Sequence, residues 1–361
     1  MRGLVSALSA APRTLSDEVI AWQRTHGRHG LPWQGTPDAY RIWLSEVMLQ
    51  QTQVSTVLGY FSRFLERFPD LYALASAPLD DVLAQWSGLG YYSRARNLHR
   101  CAQRVMAEHG GRFPACSQAL AELPGVGRST AGAIAALAFG ERAAILDGNV
   151  KRVLTRVLGF GGDLARAAPE RELWQRATAL LPLRHVDTYT QGLMDLGATV
   201  CTQRRPQCER CPLARRCVAL AAGETTRYPV KSRRLKRGRR EHALLWLQHG
   251  RRWWLVRRPD TGVWAGLWSL PEQPSVQALR NALVGWPGEP MLLPVIEHAL
   301  THFDWTLRPL HWKLPARGAE SALQEWSTWL WAGPGKWVTP EEALALGLPA
   351  PIRRLLQGPM A

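Results

Sequence analysis

Along the first half of the chain, apolar residues recur at helical rather than alternating spacing. Tyr40–Phe68, Pro78–Gln85 and Ser129–Phe139 lack strand alternation and are punctuated by Pro or Gly at believable ends, so the spacing predicts helices. Pro182 and Pro212 mark further ends. The second half reads differently. Ala243–Arg258, ALLWLQHGRRWWLVRR, splits into two short β-type runs about a Gly-containing turn, and Ala299–Leu314 is another strand-rich stretch. SVQALRNALVG and PEEALALG supply the accompanying helices, which predicts an α+β domain after an all-α one.

The boundary falls where composition changes. Arg227–Arg240, RYPVKSRRLKRGRR, holds eight basic residues and no acidic one, and Trp usage rises from five residues in 1–228 to twelve in 229–361. This stretch is expected to be a linker, either a solvated charge run or a strand that tracks phosphates. A chain of 361 residues is also long enough to favour two domains over one. The longest apolar run, around Ala131–Gly140, falls well short of the roughly 18–20 residues of a membrane span, so no membrane partner is expected. Met1–Ala11 faintly resembles a signal peptide, but it is Ser-interrupted and runs directly into helix-like sequence, so the expected location is cytoplasmic.

Charge narrows the partner. Lys and Arg total 45 against 29 Asp and Glu, for a net charge of +16, and 40 of the 45 are Arg, whose planar fork suits phosphate. The excess is spread over the chain, with 27 basic against 19 acidic residues up to Tyr228 and 18 against 10 from Pro229 onward. Such a balance implies attraction to a polyanion, nucleic acid before an anionic membrane surface.

Four local patterns carry chemistry. Cys201, Cys208, Cys211 and Cys217 follow a C-x6-C-x2-C-x5-C spacing, close enough to bind metal, with zinc and a 4Fe-4S cluster as the options; Cys101 and Cys116 read as buried core thiols. LPGVGRSTA, Leu123–Ala131, places Gly125 and Gly127 before an apolar helix, a turn whose amides can face an anion. In ILDGNVKRVLTR, Asp147 precedes a helix beginning near Val150, a capping position that can also present a carboxylate. In WLSEVMLQQTQV, Glu46, Gln50 and Gln53 recur at i, i+4 and i+7. Glu46 stands among Trp43, Leu44, Val47 and Met48, company that raises a carboxyl pKa and lets it hold a proton at neutral pH.

SEVMLQQTQV, GLGYYSRARNLH, LPGVGRSTAGAI, ILDGNVKRVL, QGLMDLGATVC and the four-Cys spacing occur in this order, and together they closely resemble the adenine DNA glycosylases of the endonuclease III superfamily. The resemblance covers about residues 20–225, with a looser match beyond. It implies an all-α helix-hairpin-helix glycosylase with an iron-sulfur cluster domain over 1–226, whose loop 201–217 holds one 4Fe-4S cluster, then a basic linker over 227–240. It further implies removal of adenine mispaired with 8-oxoguanine or guanine in double-stranded DNA, by a monomer in the cytosol or nucleoid. Carried over by motif, Glu46 would protonate adenine, Asp147 would stabilise the sugar cation and Asn149 would be its polar neighbour. Gln51 and Tyr91 would enter the base stack, with Leu89 among the DNA contacts. Trp33, Leu49 and Gln191 would help form the adenine pocket, and Gly125, Val126, Gly127 and Ser129 would form the phosphate-gripping hairpin. Bifunctional relatives carry Lys at the place of Ser129, so this chain reads as monofunctional, leaving an abasic site.

TGVWAGLWSLPE and EHALTHFDW give residues 241–361 a resemblance to the Nudix-like lesion-recognition domain of the same family. A Nudix hydrolase needs a Glu-rich box for Mg2+, and none exists between Pro229 and Ala361, so the domain is expected to recognise rather than hydrolyse. Where the family has Phe-Ser-His against 8-oxoguanine, this chain has Leu300, Thr301 and His302. Two readings from outside this class are disfavoured: a lyase acting on oxidised pyrimidines, by Ser129 and Glu46, and a non-catalytic DNA-scanning protein, by the pairing of Glu46 with Asp147.

Overall fold

The computed structural model describes residues 13–232, 237–288, 290–315 and 334–358. The leader-like Met1–Ala11, part of the basic linker, and Trp326, Trp329 and Trp331 lie outside the described residues. The described residues fall into two compact units, those within Met1–Gln50 and Ala107–Arg234, and those within Gln51–Met106 and Leu235–Ala361.

In chain order the helices begin with α1 (Leu15–His26), α2 (Ala39–Leu49), α3 (Val54–Arg67), α4 (Leu71–Ser76), α5 (Leu79–Trp86) and α6 (Ser93–Glu108). They continue with α7 (Ser117–Leu120), α8 (Arg128–Phe139), α9 (Gly148–Leu158), α10 (Ala167–Ala179), α11 (Val186–Thr199) and α12 (Val218–Ala221). Tyr40–Phe68 is helical as expected, but it divides into α2 and α3, and the expected polar stripe of Glu46, Gln50 and Gln53 does not survive the division. Gln51 takes a left-handed φ of +58°, Gln50 ends α2 and Gln53 caps α3. Glu46, Gln50 and Gln53 therefore share no helical face.

The first unit is built on small residues at close helix crossings. Ala131–Ala136 are all buried, so α8 is enclosed on every side, and a Cβ on Gly132 would meet the Ala144 carbonyl oxygen at 2.4 Å. α9 packs its Val150, Val153, Leu154 and Val157 stripe into a core shared with Val19 of α1 and Leu193 and Leu196 of α11. Cys101 is buried as expected, but Cys116 is exposed, because it stands at the N-cap of the four-residue α7 rather than inside a helix.

The second unit carries a mixed sheet whose main path runs β3 (Trp268–Ser269), β2 (Arg252–Arg257), β1 (Gly238–His249), β7 (Phe303–Leu314), β5 (Pro290–Leu292). β4 (Glu272–Gln273) adds to β1, β6 (Ile296–Ala299) to β7 and β8 (Gly335–Val338) to β2. β1 and β7 run parallel over their whole length, from Gly238 opposite Phe303 to His249 opposite Leu314, and the other pairings are antiparallel. Ala243–Leu247 are buried without alternation, as a central strand covered on both faces must be; α13 (Val276–Ala282) supplies one cover through Leu279, with Leu283 just beyond it. Among the described residues no helix is long and apolar enough to cross a membrane.

Candidate active site

α2 starts at Asp38, whose carboxylate accepts the Tyr40 N–H at 2.9 Å. Seven of its eleven residues are buried, including Trp43, Leu44, Val47 and Met48, and Glu46 is the half-buried carboxyl among them. It lines a cavity of about 450 Å³. Burial, first, and the charge of Asp147, second, push the Glu46 carboxyl up to about 7.

Asp147 is the N-cap of α9, its carboxylate accepting the Val150 N–H at 2.7 Å. Burial raises its pKa above the ordinary value, while amide hydrogen bonds and the positive charges of Arg152 and Lys151 pull the other way. The two carboxyls thus sit in unlike surroundings: one loses solvent with no compensating donor, the other receives helix-start amides and nearby cations. Ser129 of α8 accepts the Leu146 N–H at 2.9 Å, which fixes the residue just ahead of Asp147.

Asn149 lies half-buried in the first turn of α9, and its Oδ1 accepts Arg152 Nη2 at 2.8 Å. Arg152 also donates to the carbonyls of Gly197 at 2.6 Å and Cys201 at 2.7 Å. The crossing of α9 with α11 is tight enough to require Gly197: a Cβ there would meet Asn149 Cβ at 2.6 Å and its backbone at 3.1 Å.

The cavity brings together three of the residues expected from sequence, Trp33, Glu46 and Gln191; Asp147 acts on Glu46 through its charge, and Leu49, half-buried at the end of α2, is not in the lining. Sequence reasoning missed Arg28, Gln34, Ser45 and Asp187 in the wall. It also missed Asp195, fully buried behind Gln191, although the two stand at i and i+4 on α11.

In the hairpin, Gly125 takes φ +76°, closing the turn from α7, and Gly127 is the extended N-cap of α8 with no side chain to occupy the helix-start amides. Val126 is buried, its N–H bonded to the Leu123 carbonyl at 3.1 Å. The four cysteines Cys201, Cys208, Cys211 and Cys217 line a second cavity, and none of them forms a disulfide. Arg156, one turn beyond Arg152 and fully buried, holds their loop by donating to the Cys201 sulfur at 3.3 Å and to the carbonyls of Thr202 and Thr225 at 2.7 and 2.8 Å. Burial pushes the Cys211 thiol up to about 12, and the nearby Cys201, Cys217 and Cys208 add to the rise. Among the described residues no three Cys, His, Asp or Glu side chains converge as ligands of a single ion.

In the second unit, Gln51 and Tyr91 are exposed and both hold positive φ, +58° and +49°, backbone states that non-glycine residues adopt at a cost of roughly 1–3 kcal/mol. Leu89 is buried beside the left-handed Gly88 and Gly90. Thr301 and His302 are exposed in the β6 to β7 turn, closed by the Leu300 N–H bonding to the Phe303 carbonyl at 2.9 Å. The Tyr91 and Thr301 hydroxyls lie 3.3 Å apart.

Residues 44–178 match the family of HhH-GPD superfamily base excision DNA repair proteins, and residues 242–358 match the NUDIX domain. Helical half, hairpin and paired carboxyls together define a base excision DNA glycosylase with an appended Nudix-like α+β domain. The adenine DNA glycosylase of Buchnera aphidicola subsp. Acyrthosiphon pisum (strain APS) is 33% identical over 348 residues, 95% of this chain and 96% of that protein. The human adenine DNA glycosylase is 34% identical over 387 residues, 90% of this chain and 70% of that one. A solved thermostable thymine-DNA glycosylase superimposes with a TM-score of 0.52 at 29% identity, over 57% of this chain and 95% of its own. The chain belongs to the adenine DNA glycosylase family.

Proposed function

We propose that this chain releases adenine mispaired with 8-oxoguanine or guanine from duplex DNA, leaving an abasic site. The observation that carries the reading is Glu46, raised to about 7 on a cavity wall while Asp147 is supplied with amide donors. Adenine leaves poorly as an anion. Glu46 delivers a proton to its ring as the bond from base nitrogen to C1′ of the sugar breaks, and the bonding pair departs with the base. The Asp147 carboxylate opposes the positive charge that grows on the sugar, and Asn149 supports it from the same helix turn. Water then adds at C1′ and its proton passes to solvent, from which the Glu46 carboxylate is reprotonated. With Ser in place of the lysine of bifunctional relatives, position 129 offers no amine to attack the sugar.

Extruding the base costs a few kcal/mol, which Gln51 and Tyr91 offset by entering the stack while the Gly125–Gly127 turn and Ser129 grip a phosphate. Trp33 and Gln191 on the cavity wall hold the extruded base, Leu49 and Leu89 are among the DNA contacts, and Thr301 and His302 read the damaged partner. The four cysteines and the Arg156 donor to sulfur fit a thiolate-ligated 4Fe-4S cluster. When bound, the cluster supplies a cross-link that fixes the 201–217 loop. The protein acts as a monomer in the cytosol. Incubation of the purified protein with an A:8-oxoguanine duplex, followed by hot alkali, tests the reading. Cleavage at the adenine only after alkali is expected, cleavage without alkali marks a lyase, and an intact strand in both treatments refutes base release.

A further inference from the structure

Asp195 has no exposed surface, and its carboxylate is saturated with donors. Oδ1 accepts Arg28 Nε at 2.7 Å and Gln191 Nε2 at 3.0 Å, Oδ2 accepts the Arg28 backbone N–H at 2.9 Å, and Arg28 Nη2 lies 2.6 Å from Oδ1 as an ion pair. Arg28 and Gln191 both line the cavity that Glu46 faces. A carboxylate only accepts, so it dictates which end of the Gln191 amide faces it: nitrogen toward Asp195, oxygen away. A glutamine in a cavity without such a neighbour presents either end at small cost, and reads neither a donor nor an acceptor selectively.

We infer that Asp195 is a positioning residue that orients the Gln191 amide, so that Oε1 is offered to the base and a purine with an amino group at C6 is selected over one with a carbonyl there. This rests on the reading of the cavity as the adenine pocket. Adenine brings an N–H donor to Oε1, whereas hypoxanthine brings an oxygen that meets another oxygen. Leaving a buried acceptor unsatisfied is how a polar pocket rejects a near-isostere. Arg28 lies against the buried Asp195 carboxylate as its ion-pair partner, and its bonds fix the start of the segment that carries Trp33.

The test compares single-turnover release of adenine and of hypoxanthine from duplexes that differ only in that base, opposite the same partner. Asp195→Asn gives the position a donor, lets the Gln191 amide turn over, and is expected to lower the adenine to hypoxanthine ratio by about 5- to 150-fold, the scale of one base-edge pair. Gln191→Leu should lower the ratio similarly, and the double variant no further than either alone, because Asp195 acts through Gln191. Arg28→Met with Asp195→Asn removes both charges, strands neither, and should show the same fall if Asp195→Asn alone folds poorly. Equal slowing of both bases with an unchanged ratio overturns the inference, as do multiplicative effects on the ratio. Wild type that releases both bases equally fast overturns it while leaving base release standing; wild type that releases neither refutes the functional reading as well.

Discussion

Replacing Glu46 by Gln separates the chemical and the energetic consequences of the same carboxyl. Glu46 titrates near 7 in the fold against an ordinary 4.5, because it has lost solvent and faces the charge of Asp147. The folded state therefore holds this proton more tightly than the unfolded chain does. The carboxyl's unfavourable effect is absent below pH 4.5, grows as pH rises from there to about 7, and is constant above. At pH 8 it amounts to about 3 kcal/mol, and at pH 5 to less than about 1 kcal/mol. A neutral amide of nearly the same shape removes it. The Gln variant should lose adenine release by at least the 10²–10⁴-fold that a positioned acid contributes, roughly, yet melt several degrees above wild type at pH 8. The gap should shrink toward zero by pH 5. Melting followed by circular dichroism across pH 5–8 measures it, and a Gln variant no more stable than wild type at pH 8, or one whose advantage ignores pH, refutes the burial argument for Glu46.

Gly197→Ala should lower melting temperature by an overpacking cost of about 1–3 kcal/mol and slow base release, because its new Cβ collides with Asn149; Gly161→Ala, where a Cβ meets nothing within 4 Å, is the matched control and should do neither. The purified protein should be straw-brown with broad absorbance near roughly 400 nm, and Cys208→Ser should bleach it; a colourless wild type carrying stoichiometric zinc refutes the cluster. Thr301→Ala with His302→Ala should narrow the preference for A:8-oxoguanine over A:G by roughly 1–3 kcal/mol and leave release from A:G nearly unchanged, measured by competitive single-turnover kinetics. Equal loss on both substrates with a lower melting temperature assigns those two residues to the fold instead.

What the sequence carried about the site is what local patterns can carry. A carboxyl flanked by Trp43, Leu44, Val47 and Met48 on one short helix is a local statement about desolvation, and the Glu46 environment bears it out. Asp147 was visible as a cap, and caps are written within four residues. The break at Gln51 was not legible, since a glutamine in a left-handed state has no signature like that of Gly125, and the polar stripe across it looked like a continuous face. The exposure of Cys116 is likewise not legible, because composition does not reveal that α7 is only four residues long. The parallel pairing of β1 with β7, the packing of 51–106 with the sheet, and the buried Arg28 to Asp195 pair all join segments tens of residues or more apart, where periodicity is silent.

The sharpest test of the proposed division of work between a protonated Glu46 and an ionised Asp147 is the single-turnover rate on an A:8-oxoguanine duplex as a function of pH. Wild type should hold its rate below about pH 7 and lose about tenfold per pH unit above it, as the proton on Glu46 is lost. At the acid end the rate should fall again as Asp147 becomes protonated. Glu46→Gln should be slow and flat across the range, and Asp147→Asn, which removes the neighbouring charge, should be slow with its alkaline limb moved to lower pH. A wild-type rate that is level from pH 6 to 9, or near-normal release by either variant, rules out that division of work.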